Sequence, residues 1–191
     1  MNWLITNFYL FLTALVLALQ EIQIEGKHGW AEKLPTWRPD KSQWYYKIIY
    51  KIFGNEITGY HLLTTILILL FFHLGYFFNE PFSLIHELEL LLIYFLWLSV
   101  WDFLWFVFNP HYPLKNYRKG FIPWHEWFLG LPKLYWTQTL LSFLAVLWLI
   151  WLTQSGAPFI LWIQNIIQFL VEIGLAVLFS ERILHIDNWH P

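Results

Sequence analysis

Cysteine is absent from all 191 residues. Disulfides, iron–sulfur clusters, thiolate zinc sites and cysteine nucleophiles are excluded with it, so any metal must be held by imidazole and carboxylate. Charge is scarce too: Asp, Glu, Lys and Arg make up 13% of the chain, and the formal net charge is −2. A soluble domain carries about 25% charged residues, and a nucleic-acid-binding one shows a basic patch or stripe. Neither description fits, and no nucleic-acid partner is expected. Familiar catalytic signatures are also missing. The chain holds no His-x-x-x-His or His-x-x-His-His box, and no His-Glu-x-x-His, Asn-Asp-x-x-Asp or Gly-x-Ser-x-Gly. Neither internal repeats nor polar low-complexity tracts interrupt it.

What the chain has instead is apolar length. Hydrophobic residues make up 58% and aromatics 22%, concentrated in five runs at roughly 2–20, 61–78, 84–108, 134–153 and 158–180. A hydrocarbon core about 30 Å thick needs about 20 such residues per helix. The eleven Lys and Arg residues sort between the runs. Lys27, Lys33, Arg38, Lys41, Lys47 and Lys51 fill the first connection; Lys115, Arg118, Lys119 and Lys133 fill the third; Arg182 follows the last run. The N-terminal tip, the second connection (79–83) and the fourth (154–157) hold none. Basic loops stay cytoplasmic. The expected fold is therefore an all-α integral membrane protein, one domain over 1–191, with five transmembrane helices, N-terminus out and C-terminus in. Cytoplasmic loops cover about 21–60 and 109–133, and the plasma (inner) membrane is the expected location. Val16 and Ala18 are spaced like a cleavage site, but no positive charge precedes the first run, which reads as a retained anchor.

Local signals refine this plan. Gly26, Gly29, Pro35 and Pro39 predict that the first helix stops near Glu25. Residues 42–53 predict an amphipathic interfacial helix, capped by Asp40 or Ser42 and ended by Gly54. Lys47 and Lys51 occupy one face, and Tyr45, Ile48, Ile49 and Ile52 the other. Pro110 ends the third run at Asn109. The Pro-, Trp- and Tyr-rich loop after it is expected to fold back onto the membrane face. Trp3, Trp30, Trp37, Trp44, Trp124, Trp127, Trp136 and Trp189 flank the runs as an aromatic belt.

Ionisable residues inside a bilayer are costly and mark candidate sites. Asp102, about 10 Å from the inner end of its helix at about 1.5 Å per residue, is too short to reach the interface easily. Glu25 and His28 have the Glu-x-x-His spacing of helical carboxylate-bridged metal sites, and Glu21 adds a carboxylate one turn earlier. His111 and His125 lie in the loop after the third run, beside Glu126. The expected ligand set is Glu25, His28, Asp102, His111 and His125, with Glu21 and Glu126 as catalytic acid–base groups. His61, Glu172, Glu181 and His185 supply a surrounding shell or additional ligands. Glu172 needs a partner such as His61, or a proton; its rival use is a proton relay in transport. Toward the other face, His73, His86 and Glu87 form a polar group. A His73–Glu87 hydrogen bond locking the hairpin is one reading, and a haem axial ligand or proton-handling pair is another. Haem is disfavoured because adjacent hairpin helices leave it little room.

Imidazole and carboxylate donors suit iron, manganese or zinc, as one or two ions. Beside an apolar groove they would oxidise or hydrolyse a lipid or another apolar substrate. The expected function is thus a membrane metalloenzyme with its site at the cytoplasmic membrane edge and membrane lipids as partners. The alternative is a non-enzymatic scaffold, subunit or small carrier whose charged groups serve packing or proton coupling.

Overall fold

The computed structural model describes residues 3–78 and 81–189. Part of the expected 79–83 turn lies outside the described residues, as do residues 1–2 and 190–191. The chain forms α1 (Trp3–Glu25), α2 (Trp44–Phe53), α3 (Gly59–Phe72), α4 (Leu74–Phe78), α5 (Leu84–Phe108), α6 (Lys133–Thr153) and α7 (Ala157–Phe179). Within the 109–132 loop, β1 (Trp127–Phe128) and β2 (Leu131–Pro132) pair as a minimal antiparallel hairpin. Leu129 and Gly130, both at positive φ, make its turn.

Four helices are long and apolar enough to cross a membrane: α1, α5, α6, and α7 with its continuation to Leu184. At about 1.5 Å per residue even the shortest exceeds about 30 Å. The second apolar run differs from expectation, because it is not one helix. His73 turns its Nδ1 to the Leu69 carbonyl at 2.6 Å, and the helix breaks there into α3 and α4. His73 Nε2 meets Glu87 Oε1 on α5 at 3.1 Å. That contact ties the two runs together, while His86 is exposed and takes no part. The expected amphipathic segment is helical as α2, which Gly54 ends in the left-handed conformation at φ 77. Gln43 precedes it without a side-chain cap, since Asp40 instead accepts from the Ser42 backbone N–H at 2.8 Å.

α5 is the hub. Twelve of its residues from Leu92 onward are buried, on every side of the helix. It packs against α1, α6 and α7, and more lightly against α3. The outer helices each bury one narrow stripe: Asn7, Phe11, Ala14, Ala18, Glu21 and Glu25 on α1, Gln138, Ser142, Ala145 and Leu149 on α6, Asn165, Phe169, Glu172 and Ala176 on α7. The 4-3-4 spacing is that of near-parallel helix packing. Small residues at Ala14, Ala18, Ser142 and Ala145 let backbones approach, as in membrane bundles where hydrophobicity gives helices no reason to prefer each other over lipid. Hydrogen bonds supply register instead. Asn7 donates to Asn165 across α1 and α7, Trp97 to the Leu10 carbonyl at 2.7 Å, and Ser142 to the Leu92 carbonyl at 2.8 Å. Tyr94 donates to the Thr65 carbonyl at 3.1 Å.

The Asn7–Asn165 pair is buried, so truncating one partner strands the other. Asn7→Ala should lower stability in detergent by about 1 kcal/mol, read as a reduced midpoint of thermal unfolding. Asn165→Ala added to it should cost less than it does alone. Additive losses would show that the pair does not act as a unit.

Candidate metal centre at the basic end of the bundle

The buried stripe of α1 ends in two carboxylates one turn apart, Glu21 and Glu25, exposed by only 7% and 6%. Gly26, at φ 58, stops the helix and turns the chain back across its end. The Ala31 N–H then donates to Glu25 Oε1 at 2.5 Å. Trp30 and Ala31 are both held at positive φ. For residues with a Cβ that costs on the order of 1 kcal/mol each, and such strain gathers at functional sites. It places the Trp30 indole face to face with His61, ring centres 4.1 Å apart.

His61 sits in the first turn of α3 because Thr58 caps that helix, accepting the His61 backbone N–H at 3.2 Å. The same hydroxyl oxygen lies 2.7 Å from His61 Nδ1. With Nδ1 so engaged, Nε2 faces Glu21 Oε1 at 3.4 Å and Glu25 Oε1 at 3.5 Å. One donor atom from each of Glu21, Glu25 and His61 lies within 4.8 Å of the others. His125, from the loop before β1, repeats the arrangement. Its Nδ1 meets the Asn55 side-chain amide at 3.0–3.3 Å, and its Nε2 faces Asp102 Oδ2 on α5 at 3.6 Å. The His125 side chain is 0% exposed, and its Nε2 has no hydrogen-bond partner. A buried nitrogen left so costs about 1–3 kcal/mol. Burial lowers the His125 imidazole below its ordinary range, against the opposing pull of Asp102. The ring is therefore neutral, the form that binds metal. Asp102 Oδ2 accepts the Tyr135 O–H at 2.6 Å, and Tyr135 accepts the Tyr117 O–H at 3.0 Å. Burial raises the Tyr117 hydroxyl well above its ordinary range, with Asp102 adding to the rise, so it remains a donor.

Three carboxylates and two imidazoles thus gather from α1, α3, α5 and the 109–132 loop. Among the described residues no Lys or Arg pairs with Glu21, Glu25 or Asp102. Arg38 is spent on Glu56 at 3.4 Å and the Ala31 carbonyl at 2.7 Å. Two spaces adjoin the cluster. A void of about 10 Å³ is lined by Glu21, Glu25, His61 and Asp102 with Trp105 and Trp124, roughly the room for one water or one ion. A cavity of about 300 Å³ starts at Glu21, His61 and Asp102 and continues between Ile49, Phe53, Leu62, Leu98 and Leu134. Its polar head and apolar body are what a ligand with one reactive end and a hydrocarbon tail requires.

The remaining sequence candidates lie elsewhere. His28, past the end of α1, faces Glu32 at 3.4 Å at the surface, so the Glu-x-x-His pair does not form a helical face. His111 contributes its backbone N–H to Asn109 Oδ1 and lines neither space. Glu126 is committed to Lys133 at 3.1 Å. Glu172 accepts from Gln168 at 2.8 Å within α7, and His61 pairs with Glu21 and Glu25 instead. Glu181 and His185 are exposed on the irregular turn that follows α7. Sequence reasoning missed Asn55, Thr58, Tyr117 and Tyr135, which orient the donors. Thr58, three residues before His61, has the spacing of a helix cap, while nothing local marks Asn55 or the two tyrosines.

No protein-family model matches the chain, and neither a curated protein nor a solved structure is similar enough to lend it a function.

Gly29 explains part of the dense Glu25–Arg38 segment. A Cβ there would stand 2.5 Å from the Trp124 ring and 3.1 Å from Trp105, both of which wall the small void. Gly29→Ala should therefore destabilise by about 1–3 kcal/mol. Gly174→Ala, with nothing within 4 Å of the added methyl, should leave the melting midpoint unchanged. Equal effects in the two variants would refute this reading of the wall.

Proposed function

We propose that the protein is a membrane-embedded metalloenzyme acting on a lipidic substrate. A metal ion bound by Glu21, Glu25 and His61 would be the reactive centre, with Asp102 and His125 beside it. The observation that carries this reading is electrostatic. Three carboxylates, two of them buried, meet two imidazoles with no cationic side chain paired to them. Buried charge is tolerated when it is paired or coordinates a metal. Hard oxygen and imidazole donors without sulfur suit iron, manganese or zinc. A bound ion would polarise an ester or phosphoryl oxygen, or activate water, for hydrolysis; iron or manganese would serve oxidation of a chain. The donors are held for this work through Thr58 and Asn55, the outer contacts that fix imidazole orientation in metal sites.

The substrate's apolar part would occupy the 300 Å³ cavity, along the side walled by Ile49, Phe53, Leu62, Leu98, Trp101 and Leu134. α2 stands at its rim, with Ile49 and Phe53 turned inward and Lys47 and Lys51 exposed. This suits a helix lying at the headgroup level. The charge sorting orients the basic loops, and the site with them, toward the cytoplasm of a plasma (inner) membrane, with α3 and α4 together as the fifth crossing.

Metal analysis of the detergent-purified chain, without a metal-binding tag, tests the centre. Wild type should carry stoichiometric iron, manganese or zinc, and Glu21→Gln and His61→Ala should lose it while remaining folded. Lipid profiles of cells expressing wild type or Glu21→Gln test the substrate class. A species depleted or formed only with wild type is the expected outcome. Folded wild type that stays metal-free after metal is added back would end the enzyme reading in favour of a scaffold or carrier.

A further inference from the structure

Building on the metalloenzyme reading, we infer that the large cavity takes an acyl-ester lipid, with the ester carbonyl held by Gln138 and Thr65 and the head of the molecule at the carboxylate–imidazole cluster. The cavity has two polar levels. Glu21, His61 and Asp102 form the first. Thr65 stands four residues beyond His61 on α3, and Gln138 four residues beyond Leu134 on α6; both line the same space. Four residues of helix advance about 6 Å, which sets the two levels apart. Leu62, Leu98 and Leu134 are the apolar walls around them.

Gln138 carries the argument. It is buried, and its Oε1 accepts the Ser99 O–H from α5 at 2.6 Å. That length belongs to an O–H···O bond and is short for N–H···O, so the carbonyl end of the amide meets Ser99. The Nε2 end is left for the cavity, and among the described residues none accepts from it. A lock between α5 and α6 needs no such group. Ser142, one turn further along α6, locks to the Leu92 carbonyl through a hydroxyl, which also takes the Trp162 N–H at 2.9 Å. Polar side chains at membrane depth mark ligand pathways when packing leaves them unused. Thr65 is half-buried on the α3 wall, and no described residue engages its hydroxyl. The neighbouring Thr64 hydroxyl, by contrast, is spent on the Tyr60 carbonyl at 2.8 Å.

Donors from α3 and α6 call for an acceptor between them. A hydrocarbon chain accepts from neither. A carbonyl oxygen has two lone pairs and no proton of its own, so it can take both. In a lipid, the carbonyl nearest the head is that of the acyl ester. At about 6 Å from the first level it lies beyond a metal–oxygen bond of about 2.0–2.2 Å. The ester is therefore a handle, and the group acted on is on its head side. The chain leaves between α3 and α6, where Leu63, Leu67 and Leu140 are exposed. A volume of about 300 Å³ is at the small end of ligand sites and suits one chain, not two.

The test compares two neutral probes of equal chain length, a monoacylglycerol and its monoalkylglycerol ether, which lacks only the carbonyl. Equilibrium binding to the full-length protein in detergent should favour the ester by about 3–10-fold, the value of one or two neutral hydrogen bonds. Gln138→Leu should remove that preference by weakening the ester alone, and Thr65→Val should reduce it. With a carbon-13 carbonyl in the ester, infrared spectra should show the bound stretch at lower frequency in wild type and shifted back in Gln138→Leu. Ser99→Ala frees the amide from α5 without removing it and should keep the preference, which separates binding from helix locking. Thr65→Val serves should Gln138→Leu fail to fold. Equal binding of ester and ether to wild type, or a preference that survives both substitutions, would overturn the inference. Neutral probes bind without a metal ion, so metal content is read separately: it should be unchanged in Gln138→Leu, and its absence from wild type would end the metal reading alone.

Discussion

Glu21 and Glu25 face inward at the end of a helix whose opposite side meets an apolar environment, and the basic end of the molecule is organised around that fact. Carboxylates at the rim of a bilayer are cheapest when they turn toward headgroups and water. These two instead continue the stripe that packs α1 on α5. Keeping them there takes a reversal at Gly26, two left-handed residues at Trp30 and Ala31, and an indole laid over His61. It also takes the loop after α5, which brings His125 and Trp124 over the same spot. Chain conformations that cost energy are being used to enclose two carboxyl groups, which stability alone would avoid. Enclosing charge makes sense where the charge has a ligand.

The bundle supports this end by being stiff where it needs to be. Hydrogen bonds between helices run from Asn7–Asn165 through Trp97–Leu10 and Ser142–Leu92, fixing α1, α6 and α7 around α5. α3 is the exception. Ile68 is its one buried residue, and its hold on α5 is light. The gap this leaves between α3 and α6 is the large cavity. A rigid side carrying Glu21, Glu25 and Asp102 thus faces a looser side carrying His61, and the apolar space opens between them.

Much of this was legible in the sequence. The apolar runs located α5, α6 and α7 to within a residue, and Gly26, Gly54 and Pro110 marked the ends of α1, α2 and α5 where the backbone does turn. The matched depth of His73 and His86 about the turn suggested a polar group there, and of the readings it allowed, the His73–Glu87 contact is the one that forms. The break at His73 did not, because it comes from an imidazole competing for its own helix's carbonyl. For the site, Asp102, His125, Glu21, Glu25 and His61 were all among the candidates, but their grouping was not. Glu25-x-x-His28 suggested a helical face that Gly26 destroys, whereas the pair that forms is Glu21-x-x-x-Glu25. A signal for it existed: Ala14, Ala18, Glu21 and Glu25 are small or polar residues at alternating 4- and 3-residue steps along α1. That pattern marks the packed face of a membrane helix. The partners on other elements, Asn55 with His125 and Tyr135 with Asp102, are 70 and 33 residues apart in the chain. Spacing within one helix carries no information about them.

Protons are the obvious rival to metal ions for quieting three carboxylates, and the distances separate the two. A protonated carboxyl facing an imidazole nitrogen forms an O–H···N bond, which draws the heavy atoms to within about 3 Å. The bonds that orient the site do close in this way: Thr58 to His61 at 2.7 Å, Tyr135 to Asp102 at 2.6 Å, and Asn55 to His125 at 3.0 Å. The three contacts between imidazole Nε2 and carboxylate do not. They stand at 3.4, 3.5 and 3.6 Å. Each imidazole is drawn tight on its Nδ1 side and held off on its Nε2 side by a similar margin, in two histidines from unrelated parts of the chain. Protonation would neutralise the cluster but would give no reason for that shared asymmetry. The proposed metal ion would account for the spacing at His61 and for the gathered carboxylates together.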